Sequence, residues 1–154
     1  MDARSNQKFY AQLQRHEGLS LEAYYCPAGK LTIGYGHNLE AWPVHGVKKE
    51  GDVISREKAE ELLVEDVFGV ADELDTRLPW WRELTLPRQG VLLNMAFNLG
   101  WPRLSGFVKM LHALEAGEWN RAAREMLDSK WAEQVKSRAA ELATQMVTGA
   151  WQEG

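Results

Sequence analysis

The hydrophobic period of this chain changes twice, once after Gly18 and once at Ser55. Phe9 and Leu13 stand four apart, a helical spacing, and Gly18 is a helix stop directly after His16 and Glu17. Over 21–35 the period drops to two. Leu21, Ala23 and Tyr25 alternate with other residues, and so do Leu31, Ile33 and Tyr35. Between them lies Pro27-Ala28-Gly29-Lys30, which is turn chemistry, so the stretch predicts a β-hairpin. Residues 38–52 read as irregular, with Pro43, Gly46 and Gly51.

From Ser55 the helical period returns and stays. Ser55 is a helix cap, with Glu57 in the first turn, where the helix dipole favours an acid. Ala59, Leu62, Leu63, Val67, Val70 and Leu74 then share one face, and Pro79 ends the run. Residues 88–99 are apolar on nearly every side, as in a buried core helix, and Gly100 and Pro102 stop it. Shorter helices are expected near 107–116, 119–128 and 136–147, with Gly117 and Gly149 as stops. The pattern is α+β and mostly helical. It predicts one domain over 1–154, with a small β lobe at about 18–54 and a joining helix at about 55–76. The helical lobe then takes in about 77–150 and the N-terminal helix.

A chain of 154 residues buries a core without disulfides or a structural metal, and its single cysteine, Cys26, cannot form an internal disulfide. A formal charge of -4 argues against nucleic acid as a partner. The N-terminus has no apolar segment of signal-peptide length, and no stretch approaches a membrane span. Action outside the cytoplasm would then require another agent for release.

The chemistry concentrates in His16-Glu17-Gly18, Tyr25-Cys26-Pro27-Ala28-Gly29 and Thr32-Ile33-Gly34-Tyr35-Gly36-His37. A helix end delivers a carboxylate, and a hairpin crosses in front of it. Cys26 enters the turn and Thr32 leaves it, so the two can be cross-strand neighbours. Glycosidic cleavage needs an acid on one face of the bond and a group serving water or the sugar on the other. A helix C-terminus disfavours negative charge, which suits a group that must give up a proton. Gly34-x-Gly36 lacks the Lys-Ser/Thr pair of a phosphate loop, and no histidine spacing suggests a metal.

These segments resemble the phage lysozymes of glycoside hydrolase family 24. That family's pattern is Glu, an acidic residue nine positions on, Thr six further, then Ile-Gly-Tyr/Ile-Gly-His. Here those positions are Glu17, Cys26 and Thr32, followed by Ile33-Gly34-Tyr35-Gly36-His37. The likeness continues in order through Glu60-Glu61-Leu62-Leu63, Asn94-Met95-Ala96-Phe97-Asn98-Leu99-Gly100, Trp119-Asn120-Arg121-Ala122-Ala123, Ser129-Lys130-Trp131 and Ser137-Arg138-Ala139. The resemblance implies a two-lobed lysozyme-like fold and a muramidase that cuts the β-1,4 bonds between N-acetylmuramic acid and N-acetylglucosamine. It implies Glu17 as general acid and Thr32 as holder of the attacking water. It also implies His37 and Asp66 as a structural pair, Asn98 lining the cleft, and Arg138 as a basic residue near the acid. No cofactor is implied. The implied partner is bacterial peptidoglycan, met by a monomer that a separate pore-forming protein releases from the host cytoplasm to the wall.

Cys26 departs from the family's usual Asp. A model thiol has a pKa of ~8.5 against ~3.9 for Asp. Cys26 is then a stabilised thiolate acting as base or nucleophile, a neutral space-filler in a slower reaction, or the mark of a site that binds wall without cutting. A lytic transglycosylase leaving 1,6-anhydro ends is the rival enzyme, because it needs no water-activating carboxylate. Among the remaining residues, Trp119 and Trp131 read as core, and packing is the expectation for Trp80, Trp81 and Trp101. Arg121, Arg124, Lys130, Lys136 and Arg138 read as a solvated face, or as a patch for acidic peptide stems.

Overall fold

A computed structural model describes residues 2–154. They form two compact units: one takes in the chain up to Gln12 and from Val70 onward, the other is Leu13–Gly69. The architecture is α+β, with one three-stranded sheet and the rest mainly helix.

Helix α1 (Gln7–Glu17) starts at Asn6, whose side chain accepts the N–H groups of Lys8 and Phe9 at 2.9 and 3.3 Å. Phe9 and Leu13 are fully buried. Strands β1 (Ser20–Tyr25), β2 (Leu31–Gly34) and β3 (His37–Asn38) form an antiparallel sheet in chain order. The expected alternation on β1 is only partly realised: Ala23 is buried, but Leu21 is half-buried and Tyr25 exposed, and the register against β2 shifts between Ser20 and Tyr24. All four residues of β2 are buried, so the central strand is covered on both faces. Ala23, Leu31, Ile33, Leu39, Val47 and Leu62 pack together, with Val44 and Ile54 against them. Strand β3 has no period-two signal because two residues are too few to show one.

Helix α2 (Arg56–Arg77) begins as expected, with Ser55 Oγ accepting the Lys58 N–H at 3.0 Å. Helix α3 (Leu86–Leu99) has Val91, Leu92, Leu93, Asn94 and Met95 wholly excluded from solvent. Around it stand α4 (Trp101–Leu104), α5 (Val108–Glu115), α6 (Trp119–Leu127), α7 (Lys130–Val135) and α8 (Ser137–Thr148). Two of these differ from the sequence reading. Gly100 and Pro102 end α3, yet Pro102 also starts α4, because proline is compatible with a helix's first turn. Helix α7 precedes the break at Lys136, the one described non-glycine residue with positive φ, at 45°. No helix among the described residues is long and apolar enough to cross a membrane.

Candidate active site

Glu17 is the last residue of α1. Gly18 ends the helix with φ 73°, and its N–H bonds to Gln14 O at 2.9 Å. The Glu17 carboxylate lies against the sheet's last turn. A Cβ placed on Gly36 would stand 3.4 Å from Glu17 Oε1, and Gly36 has φ 80°. Glycine at 36 therefore meets the need for a left-handed backbone, while a Cβ there would make only ordinary contact with the acid.

The hairpin carries the thiol and the hydroxyl. Tyr24 pairs with Thr32, and Tyr25 with Leu31. The Cys26 N–H donates to Lys30 O at 2.9 Å, and Cys26 O accepts from the Gly29 N–H at 2.8 Å, which closes the turn. The Cys26 thiol is held below its ordinary pKa. The Lys30 backbone donor contributes most; burial opposes it, and the Ala28 backbone and the Thr32 hydroxyl add to it. Thr32 Oγ1 also lies 2.8 Å from Lys30 O, to which it donates. One hydroxyl proton serves one acceptor at a time.

His37 holds β3 to α2. Its Nδ1 is 2.7 Å from Asp66 Oδ2 and its Nε2 is 2.8 Å from Trp42 O. Both ring nitrogens face acceptors, so the doubly protonated ring fits best. Burial works against that charge, but the Asp66 carboxylate and the Trp42 carbonyl outweigh it and raise the His37 pKa.

Glu17, Cys26, Thr32, His37 and Asp66 all belong to the unit Leu13–Gly69, and Asn98 and Arg138 to the other. Asn98 Oδ1 accepts the Trp131 indole N–H at 2.7 Å. Trp131 is buried and meets Phe107 edge-on, with ring centroids 6.2 Å apart. Beside them lies a groove of about 490 Å³ whose lining includes Phe107, Trp131, Arg103, Lys130, Glu125 and Asp128. Arg138 is no part of a solvated face. It is 9% exposed and donates through Nε and Nη2 to Asn94 Oδ1 at 3.1 and 2.9 Å. Arg121, Arg124, Lys130 and Lys136 are exposed. Trp119 is not core either: it is only partly buried, and the Arg88 guanidinium covers its ring at 4.0 Å. Trp81, by contrast, is fully buried.

A mainly helical α+β fold with one small three-stranded antiparallel sheet fits a class, the lysozyme-type glycoside hydrolases. Within that class the chain belongs to the phage lysozyme family, whose model matches residues 14–145. It is 33% identical to an endolysin of Acyrthosiphon pisum secondary endosymbiont phage 1, over 82% of this chain and 78% of that protein. It is 30% identical to the pre-baseplate central spike protein Gp5 of Enterobacteria phage T4, over 96% of this chain but 29% of that protein. To an endolysin of Bacillus phage B103 it is 37% identical, over 77% of this chain and 42% of that protein. The chain thus spans well under half of two of these relatives.

Proposed function

We propose that this chain is a muramidase that hydrolyses the β-1,4 bond from N-acetylmuramic acid to N-acetylglucosamine in peptidoglycan, and that it serves host-cell lysis. Membership of the phage lysozyme family supports a peptidoglycan-degrading enzyme. The observation that supports the finer reading is that Cys26 and Thr32 share the hairpin, Glu17 lies against the turn of the same sheet at Gly36, and all three belong to one compact unit. The Glu17 carboxyl gives its proton to the leaving glycosidic oxygen. A water held by Thr32 attacks the anomeric carbon from the other face and passes a proton to the Cys26 thiolate. Water as the nucleophile gives inversion, whereas attack by sulfur would give retention. The groove at Trp131 suits a charged peptide stem, because it offers both basic and acidic side chains beside aromatic walls. The enzyme acts as a monomer and reaches the wall through a separate pore-forming protein.

The test is mass spectrometry of soluble products from purified peptidoglycan, with wild type and Glu17→Gln compared. Reducing muramic ends from wild type alone are expected. Anhydro ends would replace the reading with a lytic transglycosylase, which needs no water-activating carboxylate at position 26. No glycan product from either protein would leave a wall-binding protein.

A further inference from the structure

Leu31 opens β2, and the chain that follows β3 takes both of its main-chain polar groups. Its C=O accepts the Leu39 N–H at 2.9 Å, and its N–H donates to Glu40 Oε2 at 2.9 Å. The C=O of the same peptide group belongs to Lys30. It accepts the Cys26 N–H at 2.9 Å and the Thr32 hydroxyl at 2.8 Å. A peptide group is planar, so its N–H and its C=O cannot turn independently. The Glu40 carboxylate therefore holds one edge of a plane whose other edge carries both Cys26 and Thr32. Glu40 is itself held, because Asn38 Oδ1 accepts the N–H groups of Glu40 and Ala41 at 2.9 and 3.3 Å.

We propose that Glu40 is a positioning residue of this site: its carboxylate fixes the Lys30–Leu31 peptide, and through that peptide the Cys26 backbone and the Thr32 hydroxyl. The inference rests on the reading of Cys26 and Thr32 as part of the reacting set. Leu31 is buried, and a buried N–H needs a partner, which Glu40 supplies. The other carboxylate oxygen stands 3.9 Å from the Lys30 ammonium, with both side chains about half exposed, so that ion pair adds little. What matters is the reach of an acceptor oxygen to Leu31, and charge and reach act on the thiol in opposite directions. Removal of a nearby anion makes a thiolate easier to form, whereas loosening of its hydrogen-bond donors makes it harder. The Lys30 backbone is the foremost of those donors, so a turn that loosens at Lys30 weakens the thiolate.

Substitutions at position 40 separate reach from charge. Glu40→Gln keeps an oxygen at the same reach without the charge. Glu40→Asp keeps the charge and is one methylene short, and Glu40→Ala loses both. The experiment measures kcat and KM on purified peptidoglycan and the pH midpoint of alkylation by iodoacetamide, which reads one sulfur because Cys26 is the single cysteine. In Glu40→Ala and Glu40→Asp, kcat should fall about tenfold with KM within about twofold, since a misplacement of about 1 Å can cost about a hundredfold. The alkylation midpoint should rise in both. Glu40→Gln should recover most of kcat, with its midpoint at or below that of wild type. If Glu40→Ala fails to fold, as a melting curve would show, Glu40→Asp and Glu40→Gln carry the same comparison. Unchanged kcat and midpoint in the short variants would overturn the proposal, and so would a loss in Glu40→Gln that Glu40→Asp escapes. A raised midpoint in the short variants of a protein that cuts no glycan supports the hold of Glu40 on the turn and removes the muramidase reading alone.

Discussion

At the scale of single residues, the site turns on what a sulfur does where its family usually has a carboxylate. The thiol sits in a ring of donors: backbone groups of Lys30 and Ala28 and the hydroxyl of Thr32. Those same donors would serve a carboxylate, which also takes hydrogen bonds best when ionised. Cys26→Asp should therefore retain glycan cleavage, whereas Cys26→Ala removes the base. Positioned general bases contribute roughly 10²–10⁴-fold, so a loss of about a hundredfold or more in turbidity clearing is expected for Ala. Alkylated wild type should behave like the alanine variant. Full activity after alkylation would reduce Cys26 to a space-filler. The lowered thiol pKa adds a pH signature of its own: the rate of Cys26 alkylation by iodoacetamide should rise through a midpoint below that of an ordinary thiol.

At the scale of elements, two contacts tie pieces of chain together, and each predicts a stability effect. His37 joins β3 to α2 through Asp66. Its pKa in the folded protein lies above the unfolded value of ~6.5. The added stability is therefore complete below about pH 6.5 and fades as pH rises through the folded value. Asp66→Asn should cost about 2 kcal/mol at pH 5.5, in the range for hydrogen bonds to charged groups, and markedly less at pH 9. Melting curves at the two pH values check this; an equal loss at both would mean that the pair does not act through charge. Arg88 does similar work in the other unit. It donates to Met146 O and Val147 O at 2.8 and 3.1 Å, which caps α8, and it covers the Trp119 ring. Arg88→Ala should lower stability by about 1–2 kcal/mol by denaturant titration, whereas a free helix end would predict no change. The helices α1, α2, α3, α5, α6 and α8 were legible because their apolar faces and their glycine or proline stops agreed. The short α4 and α7 were not, since four to six residues are too few for a period. Within the site, Glu17, Cys26 and Thr32 stood out through local spacing. The burial of Arg138 did not, because it depends on Asn94, far away in sequence. Trp119 was misread for the same reason: its cover is Arg88, on another helix.

At the scale of the molecule, the chain passes between its two compact units inside helices. One passage falls between Gln12 and Leu13 in α1, the other between Gly69 and Val70 in α2. A helix carries chain from one unit to the next without exposing backbone groups that need partners. The end of the chain is also fastened by packing within its own unit. The Trp151 ring lies so close to Gly90 on α3 that an added Cβ would come within 2.6 Å of it, and the Gln152 N–H donates to Gln145 Oε1 at 3.2 Å. Gly90 is therefore explained by what it makes room for. Gly69 has no such reason, being exposed, in mid-helix, with no atom within 4 Å of a built Cβ. Glycine inside a helix is about 0.8–1.0 kcal/mol less favourable than alanine, largely through the freedom it loses on folding. Gly69→Ala should therefore stabilise the protein by up to about 1 kcal/mol. For a chain of this size that corresponds to a Tm rise of roughly 2–4 °C. Differential scanning calorimetry measures it directly. If Tm stays put or falls, α2 departs from regular helix at Gly69 in the folded ensemble, and glycine is kept there for that departure. If Tm rises, residue 69 is an ordinary helix position and the stability of α2 can be raised there without touching either the hairpin or the groove.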